Sequence, residues 1–355
     1  MISVALFNEY FIYYLWFSKC SWPVTDKTKA LILADVHLLG IYRGHWLDKL
    51  RREWQMYRSF QTAVGMFNPD VVFILGDLFD EGEFGSDAVF NSYVDRFRSL
   101  FYVPGGTKLF TVPGNHDIGF HYSARPQNVN RYIKAFGNEK GVEHVEVDGN
   151  HFILINSVAM EGDGCRFCET ATNELNEVSD MLNCSMRRNS SCTTKTMTPY
   201  SRPILMQHYP LYRTSDQECS PETPDLGPQD VVSEKFRERW DCLSSEATKF
   251  LLEKFRPRAA FSGHVHFGCK KWWGAPYNLW EFTVPSFSWR NLKTPSFILA
   301  SISSDSLDVS TCFVPNEHYT YIVYGLAGVF FIVYVLACEL NNFRRFREPK
   351  YRKLN

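Results

Sequence analysis

The chain has 355 residues, 45% of them hydrophobic and 22% charged, enough apolar material for a full core and too much for a disordered or collagen-like polymer. Lysine plus arginine (38) nearly balance aspartate plus glutamate (39), but six basic residues and one acidic one fall between Asn341 and Asn355, so that stretch carries +5 and leaves −6 for the rest. A body of that sign argues against nucleic acid as a partner, since that requires a basic face. A mean hydropathy of −0.24 excludes a polytopic membrane protein while leaving room for one or two spans.

Residues 1–18 are apolar and aromatic but contain Asn8 and Glu9, and they lack both a basic leader and a small-residue cleavage site. They read as a short signal anchor that stays attached. Lys29 to Asp35 is a short apolar run ending in polar residues, as a buried strand does. From Trp46, Leu47, Leu50, Trp54, Tyr57, Phe60, Val64 and Phe67 recur at helical spacing until Asn68-Pro69 stops the pattern.

Strands are expected at Val71 to Leu75, Lys108 to Val112, His151 to Ile155, Pro203 to Gln207, Arg258 to Phe261, Trp280 to Val284 and Ser296 to Ser301. Helices are expected near Ser86 to Phe101, Asn128 to Phe136, Glu174 to Leu182 and Ser244 to Phe255. Alternating strands and helices followed by hairpins predict an α/β core with packed sheets, and Asp148-Gly149 predicts a hairpin turn.

Tyr319 to Cys338 is uncharged and long enough, at about 20 residues, to cross a bilayer. Arg344, Arg345, Arg347, Lys350, Arg352 and Lys353 follow it, the mark of a cytoplasmic flank. The expected organisation is therefore an anchor at 1–18, a luminal domain at 29–313, a span at 319–338 and a basic cytoplasmic tail at 341–355. Arg352-Lys353 near the end has the form of a dibasic retrieval signal.

Between the apolar ends lie Cys165, Cys168, Cys184, Cys192, Cys219, Cys242, Cys269 and Cys312. An even set in a non-cytosolic segment predicts disulfides, with the pairing left open. Cys165-x-x-Cys168 also has the form of half a zinc site or a redox pair. Asn183-Cys184-Ser185 and Asn189-Ser190-Ser191 are N-glycosylation sequons and agree with a luminal domain.

The functional signal lies where the strands end. Asp35-Val36-His37, Gly76-Asp77-Leu78-Phe79-Asp80, Gly114-Asn115-His116-Asp117, Gln207-His208 and Gly263-His264-Val265-His266 each follow an apolar strand. Any one of them is unremarkable alone; five in order bring Asp, His and Asn to one sheet edge, where α/β proteins build sites. Carboxylate, amide and imidazole donors without thiolate suit manganese, iron or zinc. Seven such ligands exceed the capacity of one ion, so the set predicts a pair of divalent metals bridged by a carboxylate, which can clamp both oxygens of a displacement at phosphorus.

These five motifs resemble those of the calcineurin-like metallophosphoesterase superfamily. The resemblance implies a four-layer α-β-β-α sandwich, here with terminal transmembrane helices. It implies one metal on Asp35, His37, Asp77 and His266 and a second on Asp77, Asn115, His208 and His264. Asp77 would bridge, and His116 would serve the leaving oxygen or the phosphate, held by Asp117 or a neighbour; Asp80 and Asp117 would support the ligands.

Longer phrases, among them GHWLDKLRREWQM from Gly44, GNHDIGFHY from Gly114 and VPSFSWRN from Val284, resemble one branch of that superfamily. Its members are two-span proteins of the early secretory pathway, at endoplasmic reticulum exit sites, the ER–Golgi intermediate compartment and the cis-Golgi. They use manganese to remove an ethanolamine-phosphate side group from the second mannose of GPI anchors. GPI-anchored proteins, as substrate and cargo, and the ER–Golgi coat machinery are the implied partners. The competing reading is a luminal cargo-binding protein without turnover, or the same fold with another substrate; intact Asp77, Asn115, His116 and His266 favour the enzyme.

Overall fold

The structure is a computed structural model that describes residues 2–120, 123–161, 164–187 and 199–347. In chain order the helices are α1 (Ile2–Leu6), α2 (Ile12–Phe17), α3 (Trp46–Phe67), α4 (Asp87–Leu100), α5 (Asn115–Ile118), α6 (Pro126–Phe136), α7 (Arg166–Arg187), α8 (Gln229–Val232), α9 (Ser245–Phe255) and α10 (Glu317–Arg347). The strands are β1 (Thr28–Leu33), β2 (Val71–Leu75), β3 (Lys108–Val112), β4 (Val142–Val147), β5 (Asn150–Ile155), β6 (Ile204–Gln207), β7 (Ala259–Ser262), β8 (Cys269–Trp273), β9 (Leu279–Thr283), β10 (Ser296–Ile302) and β11 (Leu307–Phe313).

They form two sheets, ordered β11-β10-β1-β2-β3 and β4-β5-β6-β7-β9-β8. The run Ala30 to Ala34 shows why the sheets stack. Ala30, Ile32 and Ala34 join Phe73 and, from the other sheet, Phe152, Met206 and Phe261 in one apolar layer, with Phe73 and Phe152 ring centroids 4.8 Å apart. Leu31 and Leu33 face outward into a second cluster with Phe60 of α3 and Phe97 of α4, while Ile153 and Leu205 do the same toward α7 and α9. Both faces of each central strand are buried, as a four-layer α-β-β-α sandwich requires.

Local chemistry sets the boundaries. The His45 side chain caps α3 by accepting from Leu47 N, and Asn68 ends it in the left-handed region (φ 44°). Asp148 and Gly149 both have positive φ, 49° and 75°, the twist-matched two-residue turn of a hairpin, and they join β4 to β5.

The polar residues of the N-terminal segment explain themselves here. Asn8, in the π-turn between α1 and α2, donates to the Thr320 carbonyl of α10 at 3.0 Å. Glu9 accepts from Arg51, Trp54 and Tyr324, which locks the segment against α3 and α10. Among the described residues one helix is long and apolar enough to cross a membrane, over Glu317–Arg344, with none of its apolar window buried in the protein.

Three disulfides join Cys20 to Cys312, Cys165 to Cys168 and Cys219 to Cys269, and Cys184 is also disulfide-bonded. This corrects the expected set of eight. Cys20, next to the apolar segment, supplies the partner of Cys312, while Cys242 is a free thiol buried in the core. The Cys165–Cys168 bond sets aside the zinc half-site. Asn189, Cys192, His121, Tyr122, Lys350, Arg352 and Lys353 lie outside the described residues.

Candidate metal centre

The five motif segments leave the C-terminal ends of β1, β2 and β3 in one sheet and β6 and β7 in the other. The centre therefore sits across two facing sheet edges, where one edge was expected. Parallel pairing of β1–β2–β3 and of β6–β7 points all five ends the same way. Asp35, His37, Asp77, His264 and His266 have φ between 46° and 76°. Left-handed backbone at non-glycine residues costs on the order of 1 kcal/mol each, and it turns each side chain inward immediately after its strand. Two glycines make the approach possible: a Cβ on Gly76 would meet His208 Nδ1 at 2.5 Å, and one on Gly114 would meet Asp77 Oδ1 at 2.2 Å.

Two groups of donors converge, Asp35, His37 and His266 on one side and Asp77, His208 and His264 on the other. In the first, His37 Nε2 and His266 Nε2 are 3.2 Å apart, each 3.8 Å from Asp35 Oδ1. In the second, His208 Nε2 is 3.2 Å from both Asn115 Oδ1 and His264 Nδ1. Asp77 Oδ2 joins them, 3.5 Å from His37 Nε2 and 3.4 Å from His208 Nε2.

The hydrogen bonds behind the donors fix which nitrogen holds a lone pair. His208 Nδ1 donates to the Leu75 carbonyl at 2.8 Å and His264 Nε2 to the Trp240 carbonyl at 2.6 Å. Both rings thus turn their other nitrogen toward the centre, the one that is free of its proton when a histidine ligates a metal. Asp35 Oδ2 accepts from His264 N at 2.8 Å, while its buried Oδ1 has no hydrogen-bond partner.

Electrostatics point the same way. Burial, with the Asp77 charge adding to it, pushes Asp35 up to about 8. Burial and then Asp77 push Asp117 up to about 7. Burial also opposes Asp77, yet His208, His116 and His37 hold it well below the usual carboxylate range. Asp77 in turn lifts His208 to about 9 against its own burial, whereas burial and the His208 charge drop His264 to about 3. Carboxylates packed so closely ionise together only when cations join them. The orphaned Asp35 oxygen, the inward-facing ring nitrogens and the all-oxygen-and-nitrogen donor set fit two divalent ions.

Asp80 and Asp117 have separate duties. Asp80, 1% exposed, lies 3.4 Å from His37 Nδ1 and takes both arms of Arg290, at 3.0 and 2.9 Å. Asp117 does not hold the His116 ring. Its carboxylate accepts from Phe79 N at 3.0 Å and Gly114 N at 2.9 Å, tying two motif loops together. The Asp80 carbonyl holds the ring instead, accepting from His116 Nδ1 at 3.0 Å, which aims Nε2 away from it. His116 N donates to Asp77 Oδ1 at 2.9 Å.

Sequence reasoning left Trp240 unmentioned and gave Ser286 and Asn291, inside the phrase from Val284, no role at the centre. Ser286 Oγ donates to the Asp35 carbonyl at 2.7 Å, and Asn291 Nδ2 reaches both Ser286 and His266. None belongs to the five ligand motifs; each lies in an irregular segment. Asn183 sits on α7 rather than in a loop, half-buried, with Ser185 buried behind it.

The model of the calcineurin-like phosphoesterase family matches residues 28–268. The chain is similar to metallophosphoesterase 1 of Gallus gallus, 46% identical over 354 residues that cover 94% of this chain and 87% of that one. For the Rattus norvegicus protein of that name the identity is 47% over 95% and 87%, and for the Danio rerio one 43% over 97% and 91%. Among solved structures, a dimetal phosphatase from Danio rerio aligns with a TM-score of 0.48 at 12% identity, over 82% of this chain and 100% of that one.

Proposed function

Because the chain belongs to the calcineurin-like phosphoesterases, and within them to the metallophosphoesterase 1 group, we propose that it is a phosphodiesterase that removes an ethanolamine-phosphate side group from the second mannose of GPI anchors. That it is a metallophosphoesterase follows from the family and the donor set. The GPI substrate is supported by the longer phrases at Gly44, Gly114 and Val284 and by one structural observation that carries it. The last strand ends at Phe313 and the apolar helix begins at Glu317, so no more than about 15 Å of chain separates the fold from the bilayer. Such a tether selects phosphate esters displayed just above a membrane.

Asp35, His37, Asp77 and His266 would hold one divalent ion and Asp77, Asn115, His208 and His264 the other, with manganese the expected metal. When bound, the ions supply positive charge to the phosphate and activate the attacking water. Asp77 contributes one carboxylate to both positions. Asp80 orients His37 and is itself fixed by Arg290. His116, held through Nδ1, presents Nε2 to the leaving oxygen as a proton donor.

The same reading places the domain in the lumen of the early secretory pathway, from endoplasmic reticulum exit sites to the cis-Golgi, with a second span in residues 1–18. GPI-anchored proteins are its substrate and cargo, coat machinery its transport partner, and Asn183 and Asn189 its glycan attachment sites. The test is release of ethanolamine phosphate from a purified GPI glycan by the full-length protein with manganese. No release, from a preparation that cleaves a simple phosphodiester, would refute the substrate.

A further inference from the structure

Between the centre and α10 lies a surface that the catalytic reading does not use. Ile41, Tyr42, Trp46, Leu47 and Leu50 are each between 55% and 67% exposed, five large apolar and aromatic side chains within ten residues, interspersed with Arg43, His45, Asp48 and Lys49, a density that soluble surfaces avoid. Its exposure is built rather than accidental. Glu81, 0% exposed, spends both carboxylate oxygens on the backbone of this loop, accepting from Tyr42 N at 3.0 Å and Arg43 N at 2.5 Å. The Tyr93 hydroxyl accepts from Ile41 N at 2.9 Å. The main chain is thus pinned to the fold while its large side chains point outward.

The place of this surface identifies what covers it. Leu47 and His45 share the wall of a cavity of about 470 Å³ with Thr320, Tyr321 and Tyr324, in the first turns of the candidate span, and with the charged Glu9, Asp48 and Arg51. The uncharged run begins at Tyr319, so these tyrosines fall at headgroup depth, where aromatic belts sit. Trp46 and Leu47 open α3 and Leu50 follows one turn later, with Leu47 the one that reaches the first turns of the span. A tryptophan and two leucines beside a span are suited to the boundary between headgroups and acyl chains.

We propose that the Ile41–Leu50 surface is a further membrane contact, beyond α10 and the span proposed for residues 1–18, dipping into the leaflet that α10 enters and holding the metal centre against it. The centre is close enough to benefit: His37 precedes Ile41 by four residues, at most about 14 Å of chain, and Arg43 Nη1, on the same loop, lies 3.9 Å from Asp80 Oδ2. A contact on the side of the centre fixes the mouth toward the lipid surface, which deepens the substrate reading above and rests on α10 being a span.

The test uses the full chain in phosphatidylcholine vesicles with and without bromine on the upper acyl carbons. Comparing the wild type with Trp46→Phe isolates the emission of Trp46. At least a twofold bromine quenching of that emission is expected, and Leu47→Ser with Leu50→Ser should abolish it while the chain stays in the vesicles through a carbonate wash. Trp46 emission that ignores bromine but is quenched by aqueous iodide would overturn the surface alone. Emission shielded from both quenchers would overturn it in favour of a protein partner or a second copy. Loss of the wild-type chain to the carbonate wash would overturn the span and this contact with it, while leaving GPI-glycan cleavage to be judged by its own assay.

Discussion

Asp77 Oδ2 lies 3.4 Å from His208 Nε2, so a carboxylate at the end of β2 in one sheet meets an imidazole at the end of β6 in the other. The same oxygen is 3.5 Å from His37 Nε2. A single carboxylate oxygen thus faces an imidazole nitrogen from each group of donors. Asp77→Asn should therefore lose both ions, since a neutral amide cannot supply charge to two cations. Elemental analysis of the purified variant checks this; metal content matching the wild type would remove Asp77 from the bridge.

His116→Ala should keep its ions and slow turnover by roughly 10²- to 10⁴-fold, the range for a lost general acid. Its imidazolium is favoured against burial by Asp77 and by the Asp80 carbonyl that accepts from Nδ1, so its titration is raised above the ordinary imidazole value. The acid is present below that raised value and lost as pH rises through it. Wild-type activity should accordingly fall on the alkaline side, and this limb should vanish in the variant. A pH–rate profile of unchanged shape would exclude the role.

Arg290 acts at one remove. Burial alone would raise the Asp80 titration, but His37 and Arg290 lower it below the usual carboxylate value, keeping an ionised partner behind His37. Arg290→Met should weaken metal binding or activity by roughly 10- to 100-fold, as losses behind a ligating histidine do. Lysine should restore only part, because it cannot reproduce the two-armed contact. Metal titrations of both variants read this directly.

The Cys20–Cys312 bond spans 292 residues of sequence and ties the end of the N-terminal helical segment to β11. Losing a native disulfide typically costs about 2–5 kcal/mol. Cys20→Ser and Cys312→Ser should lower thermal stability equally, and the double variant no further. Additive losses would show that each cysteine acts by packing rather than through the bond.

The motif strands were legible because buried parallel strands are continuous apolar runs that end abruptly at chemistry-bearing residues, as Val71 to Asp77 does. The strands Val142–Val147, Cys269–Trp273 and Leu307–Phe313 were not. They lie at sheet edges, where Glu143, His144, Lys270 and Asp308 interrupt the apolar signal. Helix α7 begins eight residues before its expected start, since the Cys165–Cys168 bond and not periodicity sets that end. In the centre, the donors carried a spacing that sequence preserves. Their supports did not: Arg290 was visible as a basic residue of the phrase from Val284, but nothing paired it with Asp80, 210 positions away, and the Trp240 contact to His264 is a backbone carbonyl, which any residue type supplies.

The most direct test of the central claim is mass spectrometry of GPI glycans released from cells with and without this protein. Cells lacking it should accumulate anchors that retain the ethanolamine phosphate on the second mannose, and a copy carrying Asp77→Asn should fail to correct them. Equal side-group occupancy in both kinds of cell would contradict the account.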